Sequence, residues 1–359
     1  MNKHLLALIV LFFVIVGVFY FLRNSSSKVD FSTLPVILPT HTSTPVEALS
    51  ISYMRSQSYP GSDLKIEETL ADGSNYHQYV ASYISEGLKI YGLLTVPKQD
   101  SQDDNKKYPV IVFNHGYVPP KQYVTTERYV AYVNAFARAG YIVFKPDYRG
   151  NGKSDGTAQG SYYSPGYTVD VLNALSSIKK LKDPSSPVGE SGRFVVDTNR
   201  IGMWGHSMGG NIILRSLAIS SDIKAGVIWG GVVGIYDDLM NNWQRRVSYN
   251  PPPNEMANRN NNRANLISKY GTPLQNPNFW NSIDPNFNLQ YINAPLQLHA
   301  GLSDEEVPWQ FSEGLDQRLR QAGKEVEFYT YPGADHNISS PSFEIAIQRS
   351  VDFFNKYLK

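Results

Sequence analysis

The chain has 359 residues, of which 42% are hydrophobic and 18% charged, and its formal net charge is +1 at pH 7. This length suits one large domain with an accessory segment, and the balanced charge argues against nucleic acid as a partner. The absence of cysteine excludes disulfides, thiolate metal sites and cysteine catalysis. Because the common metal-binding and phosphate-loop motifs are also missing, we expect neither a metal nor a cofactor.

The amino-terminal segment contains eighteen consecutive apolar or aromatic residues. This run, LLALIVLFFVIVGVFYFL at 5–22, is flanked by Lys3 and Arg23. As a helix it would span about 27 Å, close to the hydrocarbon thickness of a bilayer. We expect residues 1–23 to form a transmembrane anchor with the catalytic body outside the cytoplasm; secretion after signal cleavage is the alternative. Residues 24–62, rich in Ser, Thr and Pro, are expected to form a linker.

From residue 63 to the carboxyl terminus, the pattern predicts an α/β domain. Three runs with period-two alternation come first and predict antiparallel strands at a sheet edge: LKIEETL, YHQYVASYIS and LKIYGLLTVP. Buried-strand patterns then alternate with helical ones; these strands are YPVIVFNHG, YIVFKPD, RIGMWGHS, AGVIWGGVVG, PLQLHAG and VEFYTY. This alternation predicts a mostly parallel sheet with helices on both faces.

A long interruption separates two of these strands. Residues 236–293 carry no strand pattern, and so long a connection is rare in a compact domain without a functional reason. We expect a small lid or cap over the carboxyl edge of the sheet. Its aromatic residues could wall an acyl pocket: Trp243, Tyr249, Tyr270, Phe279 and Trp280.

The segment GHSMGG, residues 205–210, lies between a strand pattern and a helix pattern. In that context G-x-S-x-G predicts a nucleophile elbow, in which Ser207 occupies a strained turn. Gly205 and Gly209 would avoid the clashes that this turn imposes. Ser207 is therefore the candidate nucleophile.

A serine nucleophile needs a histidine base and an acid that orients it, in the chain order Ser, acid, His. Asp304 follows the strand PLQLHAG, and His336 follows the strand VEFYTY. Other carboxylates could supply the acid: Glu305, Glu306, Asp237 and Asp238. Three further histidines lie on or beside predicted strands, where packing roles are expected: His115, His206 and His299.

The tetrahedral oxyanion of acyl transfer needs two backbone N–H donors. Met208 follows the nucleophile and would supply one of them. The loop FNHGYVPP, 113–120, follows an earlier strand and is the expected source of the other, for which we select Tyr117.

From about residue 64, the chain resembles the catalytic domain of the prolyl oligopeptidase family of serine peptidases, within the α/β-hydrolases. The resemblance rests on five motifs in order: HG at 115–116, YRGNGKSDG at 148–156, GHSMGG, DEEVP at 304–308 and GADH at 333–336. The sequence departs from the family because it has no repeated blade pattern of a β-propeller. GHSMGG is also common in esterases of the superfamily.

The sequence therefore predicts a serine hydrolase that works through an acyl-enzyme. The resemblance implies a peptidase of small peptides or amides. A carboxylesterase of small acyl esters is the nearest alternative, and a catalytically silent scaffold that binds a ligand under the lid is the other.

Overall fold

The computed structural model describes residues 48–98, 106–182, 195–243, 245–246 and 253–359, the stretch 253–259 in backbone only. The predicted anchor, residues 1–23, and most of the predicted linker lie outside these residues. In the described part of the chain, no helix is long and apolar enough to cross a membrane.

Nine strands of the described chain form one sheet in the order β1-β2-β3-β5-β4-β6-β7-β8-β9. They are β1 (Lys65–Thr69), β2 (Tyr76–Ser85), β3 (Leu88–Pro97), β4 (Tyr108–Asn114), β5 (Ile142–Pro146), β6 (Val196–His206), β7 (Ala225–Trp229), β8 (Leu296–Gly301) and β9 (Val326–Tyr331). The strands β1 to β3 pair antiparallel at one edge, and β4 to β9 pair parallel. The α/β-hydrolase arrangement predicted from the sequence is confirmed.

The helices of the described chain cover both faces of this sheet. They are α1 (Ile51–Ser56), α2 (Val130–Arg138), α3 (Gly166–Ile178), α4 (Met208–Ile219), α5 (Pro253–Tyr270), α6 (Pro277–Ile283), α7 (Gln310–Gln321) and α8 (Ser342–Leu358). In β4, Val110 and Val112 pack in the core on one face with α3 and α4, whereas Ile111 and Phe113 pack in the core beneath α2 and α8. This alternation follows from the two-residue period of a strand.

The predicted linker extends too far along the chain. Residues from Ala48 onward already belong to the folded body, because Leu49, Ile51 and Met54 are buried. Ile51 and Met54 lie three residues apart on α1, so they share the face that packs against α4. The folded body therefore includes residues 48–62, which the sequence assigns to the linker.

The segment 236–293, here called the cap, is mainly helical in its described parts. It contains a π-helical turn at Asp238–Asn242, the helices α5 and α6, and two short 3-10 turns. It joins β7 to β8, as the sequence predicts for a lid insertion.

Candidate active site

Ser207 lies between β6 and α4 with a strained backbone. Its φ is 56° and its ψ is −119°, a combination that non-glycine residues rarely adopt. A Cβ at position 205 would lie 2.7 Å from the carbonyl oxygen of Gly209, and one at position 209 would lie 2.0 Å from that of Asn114. Only glycine fits at both positions, so the turn has the tight geometry that G-x-S-x-G predicts.

The structure brings Asp304 and His336 together at the carboxyl ends of β8 and β9. The Nδ1 of His336 lies 2.7 Å from Oδ2 of Asp304, and both residues are buried. The other oxygen of Asp304 accepts the backbone N–H groups of Glu306 and Val307, each at 2.8 Å. The carboxylate is thereby fixed against the imidazole, whose Nε2 remains available for chemistry.

The alternative acids make other contacts. Asp237 and Asp238 accept hydrogen bonds from Asn241 and Asn242 on their own helical turn. Glu306 lines the cavity described below, but the carboxylate bonded to His336 is that of Asp304. Among the rivals that the sequence leaves open, the geometry therefore favours Asp304.

The loop after β4 passes directly over the nucleophile. A Cβ at Gly116 would lie 3.1 Å from Cβ of Ser207 and 2.6 Å from the hydroxyl of Tyr129, so this position also requires glycine. Tyr117 follows it and lines the cavities beside Ser207. Met208 begins α4, where the first N–H groups have no acceptor within the helix. Both predicted oxyanion donors are thus on residues that flank the nucleophile.

A hydrogen-bonded chain that the sequence does not reveal links these loops. The backbone N–H of Gly116 donates to the hydroxyl of Tyr129 at 2.9 Å, and this hydroxyl lies 2.8 Å from Nδ1 of His206. The Nε2 of His206 lies 3.0 Å from the carbonyl oxygen of His336. Because a carbonyl can only accept, Nε2 carries the proton and Nδ1 accepts from Tyr129.

The electrostatics of His206 agree with this tautomer. Burial, together with the smaller effect of the neighbouring His336, lowers its pKa to about 3. His206 is therefore neutral near pH 7, and its ring lies 4.5 Å from that of His336, centroid to centroid. The sequence predicts a packing role for His206. In the structure its two ring nitrogens also link the loop of Gly116 to the loop of His336.

Two other buried histidines support the sheet. Burial and the nearby Lys145 lower the pKa of His115 to about 3, and its ring stacks between Tyr123 and Tyr148. Burial also lowers the pKa of His299 well below its usual value. Neither lines the cavities around Ser207, so both have the packing role that their positions predict.

Ser207 opens into two adjoining spaces of different character. The larger is a cavity of about 620 Å³ that His336 also lines, together with Arg128, Arg245 and Glu306. The smaller is a narrow pocket of about 20 Å³, room for little more than one water-sized group. Its walls are mainly aromatic: Tyr117, Tyr162, Tyr167 and Trp243.

The cap contacts the loop that carries Asp304 directly. The indole N–H of Trp243 donates to the carbonyl of Glu306 at 2.8 Å, and Arg246 donates to the carbonyls of Asp304 and Glu305. The cap therefore closes one side of the site, as a lid would.

Most of the predicted aromatic wall lies elsewhere. Tyr270 stacks on Phe279 with ring centroids 3.7 Å apart, and Phe279 and Trp280 are buried in the core of the cap. Tyr249 lies outside the described residues. Of the four predicted aromatic residues that the structure describes, Trp243 lines the pocket, whereas Tyr270, Phe279 and Trp280 pack with the large hydrophobic core.

A metal site does not emerge from the described residues, among which no group of three His, Asp or Glu side chains is arranged to hold an ion.

Two family models match the sequence. The model of the prolyl oligopeptidase family matches residues 188–359, and that of serine aminopeptidase, S33, matches residues 105–253. A Bacillus subtilis protein named "Uncharacterized peptidase YtmA" is 27% identical over 259 residues, which are 72% of this chain and 85% of that protein. Human dipeptidyl peptidase 8 is 26% identical over 71% of this chain but only 25% of its own length.

Solved structures show the same fold. The acylaminoacyl peptidase of Pyrococcus horikoshii superposes with a TM-score of 0.60 and 24% identity, over 80% of this chain and 43% of that one. The acetyl xylan esterase of Paenibacillus sp. R4 has a TM-score of 0.60 and 18% identity, over 86% and 92%. This chain thus spans less than half of the archaeal peptidase but nearly all of the esterase. The protein is a serine hydrolase of the peptidase or esterase type, with an α/β-hydrolase fold that resembles the catalytic domain of the prolyl oligopeptidase family.

Proposed function

We propose that Ser207, His336 and Asp304 form the catalytic triad of this hydrolase. One observation carries the proposal: a serine on a strained elbow opens into the same cavity as a histidine whose Nδ1 contacts a buried carboxylate. Strained backbone persists where the surrounding structure enforces it, and active sites are where it concentrates.

The reaction follows from these positions. With its Nδ1–H donated to Asp304, His336 has a lone pair on Nε2 that takes the proton of Ser207 as the hydroxyl attacks the carbonyl carbon. The N–H groups of Met208 and Tyr117 would stabilise the oxyanion. His336 then gives the proton to the leaving group as its bond to the acyl carbon breaks. Water then attacks the acyl-enzyme while His336 takes its proton. His336 returns that proton to Ser207 as the bond between the serine oxygen and the acyl carbon breaks, and the acid is released.

We propose a peptidase of small peptides or amides as the first candidate, since both matching family models are of peptidase families. The narrow aromatic pocket supports an esterase of short acyl groups as the alternative. A space of about 20 Å³ accepts a group the size of the methyl of an acetyl without movement of its walls.

Labelling by a fluorophosphonate probe tests the triad. Wild type should be labelled, and Ser207→Ala should lose both labelling and hydrolysis while keeping its melting temperature. Asp304→Asn should lower kcat by about three to four orders of magnitude, because the asparagine favours the wrong histidine tautomer. Asp238→Asn is the matched control and should retain nearly full activity. Retained hydrolysis in Ser207→Ala would refute the nucleophile.

A comparison of ester and anilide substrates with the same proteins distinguishes a peptidase from an esterase. Nitrophenyl acetate and butyrate are compared with aminoacyl and prolyl nitroanilides. Turnover of an anilide supports the peptidase, and ester turnover without any anilide cleavage refutes it.

We further propose that residues 1–23 anchor the chain in a membrane with the catalytic body on the extracytoplasmic side. The apolar run at 5–22 supports this proposal. The full chain should sediment with membranes, and a chain without residues 1–44 should not. Protease added to intact cells should digest the catalytic body. If the body is digested only after the cells are lysed, the proposed orientation is wrong.

A further inference from the structure

The larger cavity has more basic than acidic side chains in its described lining. In its described lining, Arg128 and Arg245 are basic, Glu306 is acidic, and His206 is neutral for the reasons given above. The cationic side chains therefore exceed the anionic ones by one. Such a cavity favours a ligand group with negative charge.

The chemistry of the proposed triad decides which part of a substrate meets these charges. The general acid must lie within hydrogen-bond reach of the leaving atom. His336 lines the large cavity and is absent from the described lining of the narrow pocket. The leaving group must therefore occupy the large cavity, and the acyl group points into the aromatic pocket.

Arg128 is held at this cavity by its backbone. Its φ is 55°, and that of the following Tyr129 is 56°, so two consecutive non-glycine residues occupy the left-handed region. Tyr129 is fixed there by its contacts to Gly116 and His206. The exposed side chain of Arg128 lines the cavity, and in the described chain it makes no ion pair with an acidic side chain.

From this geometry we infer a subsite for an anionic group, a carboxylate above all, on the leaving group of the substrate, with Arg128 as the residue that determines the specificity. The inference rests on the proposed function, because the triad defines the leaving-group side. Arg245 lies at the junction of both spaces and adds to the positive potential. A planar guanidinium suits a carboxylate because it can donate two parallel hydrogen bonds. The substrate class is accordingly a small acyl or aminoacyl group joined to an amine or alcohol that carries a free carboxylate.

Two matched esters test the inference. Acetylated 4-hydroxybenzoate carries a carboxylate on its leaving group, and its methyl ester has the same acetyl group without the charge. The ratio of kcat/KM for the charged ester to that for the neutral one should fall about three- to tenfold in Arg128→Gln. The value of kcat/KM should fall more for the charged ester than for the neutral one, and high salt should weaken the preference of wild type.

Lys121→Gln is the matched control. Lys121 is exposed on the same loop and loses the same charge, but it does not line the cavity. The ratio should stay at the wild-type value in this variant. An unchanged ratio in Arg128→Gln, or an equal fall in Lys121→Gln, overturns the subsite.

A binding measurement separates this inference from the proposed function. If wild type hydrolyses neither ester, the failure concerns the proposed function. Calorimetry with Ser207→Ala protein then compares 4-hydroxybenzoate with its methyl ester, without any catalytic step. Tighter binding of the carboxylate that Arg128→Gln abolishes supports the subsite, and equal binding of the two compounds refutes it.

Discussion

Tyr129 shows how one side chain can couple two catalytic loops. Its hydroxyl accepts from Gly116, beside the predicted oxyanion donor Tyr117, and donates to His206, which in turn donates to the carbonyl of His336. These two partly buried hydrogen bonds hold Tyr129 in its left-handed backbone conformation. The hydroxyl therefore acts as a positioning group, and it need not touch substrate.

Replacing Tyr129 by Phe should lower kcat about tenfold or more while KM changes little. The change leaves the N–H of Gly116 and Nδ1 of His206 without their partner, and a buried unsatisfied polar group costs about 1–3 kcal/mol. Both loops would then hold their catalytic groups less accurately, which affects the transition state more than substrate binding. Steady-state kinetics and the rate of fluorophosphonate labelling measure this effect.

Tyr141→Phe is the control for a lost tyrosine hydroxyl. The hydroxyl of Tyr141 donates to Asn355 at 2.8 Å and does not line the cavities around Ser207. This variant should lose some stability but keep kcat. If Tyr129→Phe also loses only stability, the positioning role is wrong.

At the scale of elements, the sequence predicts the strands and the elbow well because their signals are local. Strand β4 and the buried half of β6 from Ile201 onward are mainly apolar runs, and G-x-S-x-G between a strand and a helix predicts a tight turn. The helix α7 carries a readable signal too, since Phe311, Leu315 and Leu319 repeat every four residues and are buried.

Other features cannot be predicted from the sequence, because they are short or depend on contacts between residues far apart in the chain. With six residues and two buried apolar side chains, α1 shows no periodicity that distinguishes it from a linker. The contact of Tyr129 with His206 joins residues 77 positions apart. The burial of Phe279 and Trp280 depends on which face of α6 is turned toward the hydrophobic core, and aromatic content alone does not determine that face.

At the scale of the whole molecule, a buried arginine joins three regions of the chain. The guanidinium of Arg215, on α4, donates to the carbonyls of Leu49 and Ile283 and to the hydroxyl of Tyr236. Leu49 precedes α1, and Tyr236 and Ile283 belong to the cap. The helix that begins at the nucleophile is thus bonded to both accessory parts of the fold.

The same compact core makes stability depend on pH. Burial lowers the folded-state pKa values of His115 and His206 to about 3, and that of His299 well below normal. In the unfolded chain a histidine has a pKa of about 6.5. As pH falls below this value, the unfolded state binds protons that the folded state does not, so the free energy of unfolding decreases.

Buried carboxyls oppose this effect in part. Burial raises the pKa of Asp147 to about 6, so the folded state takes up a proton between pH 6 and about 4 while the unfolded aspartate remains ionised. The pKa values of Asp170 and Asp284 are raised in the same direction. Their contribution to stability is present at low pH and is lost as pH rises through the folded-state pKa.

We predict that stability falls from pH 7 to pH 5, and that His206→Gln removes about 2 kcal/mol of this fall, the linkage value for one histidine over that interval. Urea denaturation of the chain from residue 45 onward, at both pH values, measures the difference. Tyr141→Phe serves as the control, because it removes a buried hydrogen bond without removing a group that titrates in this range, and it should lower stability equally at pH 7 and pH 5. If His206→Gln shows the same fall as wild type, His206 is not held neutral in the folded protein, and the hydrogen-bonded chain through Tyr129 has a different proton arrangement.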